Sequence, residues 1–218
     1  VSFTFTQPIP GLFHLDFDSM EQMSKTLIRP QEYAESPKFQ GRVFTTSRLK
    51  NYFKSFKESP YTCYVGFNIP GSCIVEFFNK FSNFNSAELR LKEVVAQAPE
   101  RFYLIGSADR DAKKPSWKAG DHELAHACWY LREDYKLGCQ AVIAEVPEQL
   151  ITSMRNRLLS WGCYAPIVIE DEIHAYLGTD ALGRLSQRFH WHVLPPEIEV
   201  AHDKLNTLLQ KTLGRTNG

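Results

Sequence analysis

The chain is short of the features that assign a protein quickly. Its five cysteines, Cys63, Cys73, Cys128, Cys139 and Cys163, are odd in number and widely spaced, and no two form a Cys-x-x-Cys clip. That spacing argues against a disulfide framework and a cysteine zinc site, and predicts free buried thiols in a reducing compartment. No apolar run approaches the length of a membrane span, and no charged-then-apolar start marks a signal peptide, so no membrane partner is expected. The expected location is cytoplasmic, although a start at Val1 rather than Met leaves a removed leader open. Charge of one sign is missing too. Lys+Arg 25 balance Asp+Glu 25, which removes any global pull toward nucleic acid or an anionic surface. There is no internal repeat and no low-complexity tract.

What is present is an ordinary globular composition. The 218 residues are 43% hydrophobic and 23% charged, enough for one substantial core or for two lobes sharing a cleft. Apolar alternation predicts strands over Val1–Thr6 and Leu12–Phe17, around a turn with Pro8, Pro10 and Gly11. A short helix over Ser19–Ile28 is expected to stop before Pro30, with Arg29–Pro37 as a polar loop. Helical spacing of aromatic residues predicts helices over Thr46–Lys57 and Pro70–Phe81, and a cleaner amphipathic helix over Ser86–Ala98. Arg101–Ser107 is the strongest strand signal. It leads through a polar loop, Ala108–Pro115, into a helix that Ser116 can cap, which puts a sheet beside that helix and an edge strand ready for an extended substrate. That helix is expected to end near Lys136, with Gly138 as its stop. Gln140–Val146 reads as strand or helix. Further helices follow from Pro147 to Gly162, over Ile169–Leu177, and from Pro196 to Gly214. The fold class is α+β, mostly helical with a small sheet.

The stretch Gly120–Leu131 carries the chemistry. His122-Glu123-Leu124-Ala125-His126 has the form His-Glu-x-x-His in a run of good helix formers. Histidines four residues apart lie one turn apart on one face, so both imidazoles can reach a single ion. Glu123 stands about 100° around the helix, where it can touch a water on that ion without becoming a ligand. The surrounding residues are apolar nearly all round: Leu124, Cys128 and Leu131 in one stripe, with Ala125, Ala127, Trp129 and Tyr130 beside it. Two imidazoles and a carboxylate are costly in such a helix unless they have partners, and a metal is one. The predicted ion is Zn2+, held by His122 and His126.

A catalytic zinc site takes three protein ligands and a water. The acidic cluster Glu170-Asp171-Glu172, followed by His174, is the source of the third. Ile169, Ile173 and Leu177 mark the buried stripe of a short helix, which leaves Glu172 and Tyr176 on a neighbouring face; small Ala175 lets the motif helix approach. Glu172 is assigned as third ligand, with His174 as runner-up and Asp171 and Asp180 behind it. An acidic helix start also serves the helix dipole whatever else it does.

His122-Glu123-x-x-His126 followed by Glu172-x-x-Ala175 on a later helix resembles the zincin metallopeptidases, in the branch with glutamate as third ligand. The phrases DHELAHA and DEIHAYL carry the resemblance, over about a quarter of the chain. No third histidine follows at metzincin spacing, and Gly178-Thr179-Asp180 only partly matches the aspartate-ligand branch. The resemblance implies one zincin-like domain over 1–218: residues 1–136 hold the strand and the motif helix, and 137–218 the helical part with the third ligand. It implies hydrolysis of a peptide or amide bond in a peptide or protein substrate. Glu123 is then the base that takes the water's proton and returns it to the leaving amine. Tyr176 or His174 is the donor to the oxyanion, and Asp121 or Asp171 orients a ligand histidine. Two other readings stay open. One is a binding or regulatory protein that retains a structural or decayed site. The other is non-haem Fe(II) chemistry, which has no need for Glu123. The sequence leaves the oligomeric state undetermined.

Overall fold

The computed structural model describes residues 3–56, 59, 61, 64, 66–108 and 119–215. The chain forms two compact units, Val1–Gly120 and Asp121–Gly218. The fold is α+β and mostly helical, with ten α-helices and a four-stranded mixed sheet among the described residues.

In the first unit, β1 (Phe3–Thr6) and β2 (Leu12–Phe17) pair antiparallel, and Gly11 makes the turn at φ +82. Phe13, Leu15 and Phe17 point into the core while Asp16 faces out, the two-residue alternation that a half-buried strand requires. Helices α1 (Met20–Glu35) and α2 (Thr46–Ser55) follow, then β3 (Gly66–Pro70), α3 (Gly71–Lys80), α4 (Ser86–Val95) and β4 (Tyr103–Ala108). The sheet order is β1-β2-β4-β3, with β4 parallel to β2 and antiparallel to β3. The expected edge strand at 101–107 is therefore an interior strand. Both of its sides are already paired, so it has no free edge to offer an extended chain.

Helix α1 does not stop at Ile28. It runs through Pro30 to Glu35, and residues 28–34 are buried rather than a solvated loop. Local signals read this stretch as loop because proline and polar side chains oppose a buried helix; tertiary partners reverse that. Arg29 pairs with Glu88 at 2.9 Å and lies over the rings of Phe77 and Phe81, Tyr64 donates to Glu32, and Gln31 donates to Glu35. Glu88 also closes a capping box with Asn85 at the start of α4. Gly71 and Gly106 are demanded by close approach: a Cβ on Gly71 would meet the Phe102 carbonyl oxygen at 2.5 Å, and one on Gly106 would meet Leu27 at 2.3 Å.

The second unit is helical. Its elements are α5 (Ala119–Leu131), α6 (Glu133–Ala144), α7 (Glu148–Ser160), a single 3-10 turn (Pro166–Val168), α8 (Ile169–Thr179), α9 (Leu182–Phe189) and α10 (Pro196–Thr212). Pro147 and Pro195 stand at the caps of α7 and α10, and Gly162 and Gly214 adopt positive φ just beyond their ends. Helix α8 is the centre: residues 172–178 are all buried, and α7 and α10 pack on it. His202 and Asn206 of α10 hold the carbonyl groups of Leu177 and Gly178 at its C-terminus.

The motif helix ends earlier than expected, at Leu131. Arg132 is extended there, and a separate helix, α6, runs through Gly138. Gly138 is a packing position rather than a stop, since a Cβ would meet Leu208 of α10 at 2.8 Å. Helix α9 and strand β3 have no counterpart in the sequence reading. The proposed cap at Ser116 lies outside the described residues.

Candidate metal centre

Two helices of the second unit bring the candidate ligands together. One turn of α5 separates His122 from His126, and α8 presents Glu172 to both. The Nε2 atoms of His122 and His126 lie 3.2 Å apart. One Glu172 oxygen is 3.6 Å from His126 Nε2 and the other 3.7 Å from His122 Nε2. One donor atom from each of the three residues falls within 4.8 Å of the others. Donors at about 2.0–2.1 Å from a tetrahedral ion stand roughly 3.3–3.4 Å apart, so the two imidazole nitrogens are spaced for one ion, while the carboxylate, which meets them through different oxygens, would have to draw in to complete the set.

The second nitrogen of each imidazole fixes what the first can do. His122 Nδ1 is 3.3 Å from Thr179 Oγ1, and that hydroxyl spends its proton on the Ala175 carbonyl at 2.6 Å. Thr179 therefore accepts from Nδ1–H, which leaves a lone pair on His122 Nε2. His126 Nδ1 lies 2.9 Å from Asp171 Oδ1, a charge contact whose angle falls outside hydrogen-bond geometry but which favours a proton on Nδ1. Both Nε2 lone pairs then face each other and a carboxylate. With those tautomers a shared proton or a metal ion between the two nitrogens relieves the repulsion; with the His122 proton on Nε2 the 3.2 Å contact is an N–H···N hydrogen bond. The buried Glu172 Oε2 has no hydrogen-bond partner among the described residues, which also fits a cation.

Electrostatics point the same way. Burial pushes the His126 imidazolium down, but Asp171 and Glu172 outweigh it and hold it at about 10. Burial works against Asp171 too, yet the neighbouring imidazoles hold its carboxyl well below the usual range. The site thus gathers negative charge around buried imidazole nitrogen and stabilises whatever cation it contains.

The remaining sequence candidates take distinct places. Glu123 is buried, and its charge is felt at His126. Tyr176 lays its ring 4.6 Å from that of His122, with its hydroxyl 2.8 Å from the hydroxyl of Tyr164. Burial, followed by the Glu172 carboxylate, pushes both phenols up, so both remain protonated donors at neutral pH. His174, fully buried, turns its Nδ1 to the backbone carbonyl of Asp171 and stacks on Trp129 at 4.5 Å, outside the set formed by His122, His126 and Glu172. Asp171 is the carboxylate that stands behind a histidine; Asp121 instead pairs with Arg215 at 2.8 Å, and Asp180 with Arg188 at 2.7 Å. Thr179 and Tyr164 escaped sequence reasoning as site residues. Thr179 sits seven residues after Glu172, two helical turns along the same face, and that spacing was the available signal; Tyr164 lies in irregular chain before α8 and gave none.

Cys73, Cys128 and Cys139 are free thiols. Cys128 and Cys139 are buried and held at about 12 by that burial, whereas Cys163 is exposed. No helix among the described residues is long and apolar enough to cross a membrane. Comparison with protein-family models, curated proteins and solved structures finds no match to this chain.

Proposed function

We propose that this chain is a zinc-dependent hydrolase of zincin-like type that cleaves a peptide or amide bond in a peptide or protein substrate, in a cytoplasmic setting and without nucleic acid or membrane as partner. The observation that carries the reading is the convergence of His122 Nε2, His126 Nε2 and the Glu172 carboxylate, with Thr179 against one Nδ1 and the Asp171 carboxylate beside the other. Bound zinc supplies a water of lowered pKa and an electrophile for the carbonyl oxygen. Glu123 takes the proton of the attacking water and returns it to the leaving amine. Tyr176, with Tyr164 behind it, donates to the oxygen on which charge develops. Asp171 and Thr179 hold the two imidazoles in the tautomer that leaves Nε2 free.

The test is elemental analysis of the purified chain beside His126→Ala, Glu172→Ala and Glu123→Gln, with a screen of peptide substrates. The reading expects about one zinc per chain, lost in the first two variants. It also expects Glu123→Gln to keep the metal and lose cleavage. Absence of metal in the parent after zinc is offered overturns it. Iron in place of zinc moves the chain to oxygen chemistry. A second reading, a non-catalytic protein with a structural site, draws on the burial of His126 and Glu172, 1% and 3% exposed. It expects zinc bound equally well but no cleavage, and unfolding on metal removal.

A further inference from the structure

A cavity of about 400 Å3 opens in the second unit between α5, α6, α7 and the start of α8. Its lining is apolar at Trp129, Ile143, Ile151 and Ile173 and polar at the more exposed Gln140, Glu148, Arg155 and Glu170. The size is that of a small-ligand site, and so is the plan of an apolar body with a few polar groups at the mouth. None of His122, His126 and Glu172 lines the cavity, although Glu170 and Ile173 flank Glu172 along α8; Trp129 stacks on the fully buried His174.

The rim decides the ligand's charge. Glu148 is already engaged, taking Thr152 at 3.0 Å and facing Arg155 at 3.6 Å, so those two charges largely answer each other. Glu170 is exposed and makes no ion pair among the described residues. An anion entering here meets a rim of net negative charge, Glu148 and Glu170 against Arg155 alone. A monocation with an apolar group satisfies floor and rim together. We propose that this cavity is a binding site for an organic amine, an ammonium group on an apolar body, with Glu170 as counter-ion and Trp129, Ile151 and Ile173 as the apolar seat. This site does not rest on the hydrolase reading.

The experiment is calorimetric titration of the full chain, with and without prior metal removal, using 2-phenylethylamine and its anionic counterpart 3-phenylpropionate. Heteronuclear spectra of the tryptophan indoles locate the binding. The amine binds in both metal states, shifts the Trp129 indole signal, and binds about five-fold or more tighter than the acid. Glu170→Gln, a change at an exposed position, weakens the amine by about the same factor and leaves the acid unaffected or improved. Ile151→Trp fills the cavity and abolishes both titrations; should that variant fail to fold, Glu170→Gln decides alone. The proposal is overturned by no heat with the amine at about 10 mM, far weaker than the millimolar scale of a minimal specific site. Equal binding to the parent and Glu170→Gln, a preference for the acid, or a signal that leaves Trp129 unmoved overturns it as well.

Discussion

Asp171 shows how one carboxylate can be given its role by geometry. It sits beside the assigned ligand Glu172, yet its oxygen faces His126 Nδ1 at 2.9 Å and His174 Nδ1 at 3.2 Å. Asp171→Asn removes the charge behind His126 and can present an amide donor where an acceptor is needed. Zinc affinity should fall by about 10–100-fold with the fold retained, measured by competition with a chromophoric chelator. Unchanged affinity would assign Asp171 to the helix start alone. In the first unit, Glu32 is buried, and that burial raises its carboxyl above 4.5 even though Tyr64 and Ser36 favour the charged form. A raised folded value means that the folded chain holds this proton more tightly than the unfolded one. The contribution is fully present below about 4.5 and is lost as pH rises through the folded value. Glu32→Gln, which keeps an acceptor for Tyr64, should flatten that loss: the variant gains stability relative to the parent as pH goes from about 4 to about 7, measured by urea unfolding at each pH. A constant difference across the range would remove Glu32 as the cause.

At the scale of the element, α1 is the helix whose polar residues misled local reasoning. Its middle is stabilised by the Arg29–Glu88 pair, with side chains 7% and 1% exposed, under the rings of Phe77 and Phe81. Breaking such a pair from one side leaves a buried charge, which costs about 3–5 kcal/mol. Arg29→Met should lower the free energy of unfolding by that order in urea, and Arg29→Met with Glu88→Gln should recover part of it, because the glutamine carries no charge and still offers an acceptor to the Asn85 amide. A single variant as stable as the parent would mean that the pair adds nothing to α1. The strands at 3–6 and 12–17, the helices at 46–55, 71–80 and 86–95, and the proline-opened helices of the second unit were legible, since each has its own periodicity and punctuation. The passage of α1 through Pro30 and of α6 through Gly138 was not. A proline and a glycine there are tolerated for contacts with residues distant in sequence, Glu88 in one case and Leu208 in the other.

On the scale of the whole molecule, the two units divide the work. The aromatic core belongs to residues 1–120, and the candidate ligands all fall within 121–218. Zinc binding should therefore protect amide hydrogens from exchange in α5 and α8, while the sheet and α1 to α4 gain little. At free zinc about a hundred-fold above Kd the second unit gains about 2.7 kcal/mol, readable by exchange mass spectrometry. Protection spread evenly over both units would contradict a site built from α5 and α8 alone.

The sequence by itself determined the α+β class, most helices and strands, and the His122–Glu123–His126 spacing, because helical periodicity places residues one to four positions apart without reference to the rest of the chain. It also supplied Glu172 as the candidate to complete the set. Only the tertiary structure decided that Glu172 rather than His174 meets the two histidines, that Asp171 rather than Asp121 stands behind His126, that Thr179 and Tyr164 join the site, and that β4 is interior to its sheet. These are distances between residues far apart along the chain: the local stripe of α8 groups Glu172 with Tyr176 on one face, but only packing brings that face to α5. That choice is made by the packing of Ile169, Ile173 and Leu177 into the core, which leaves Glu172 and Tyr176 on the side of the histidines.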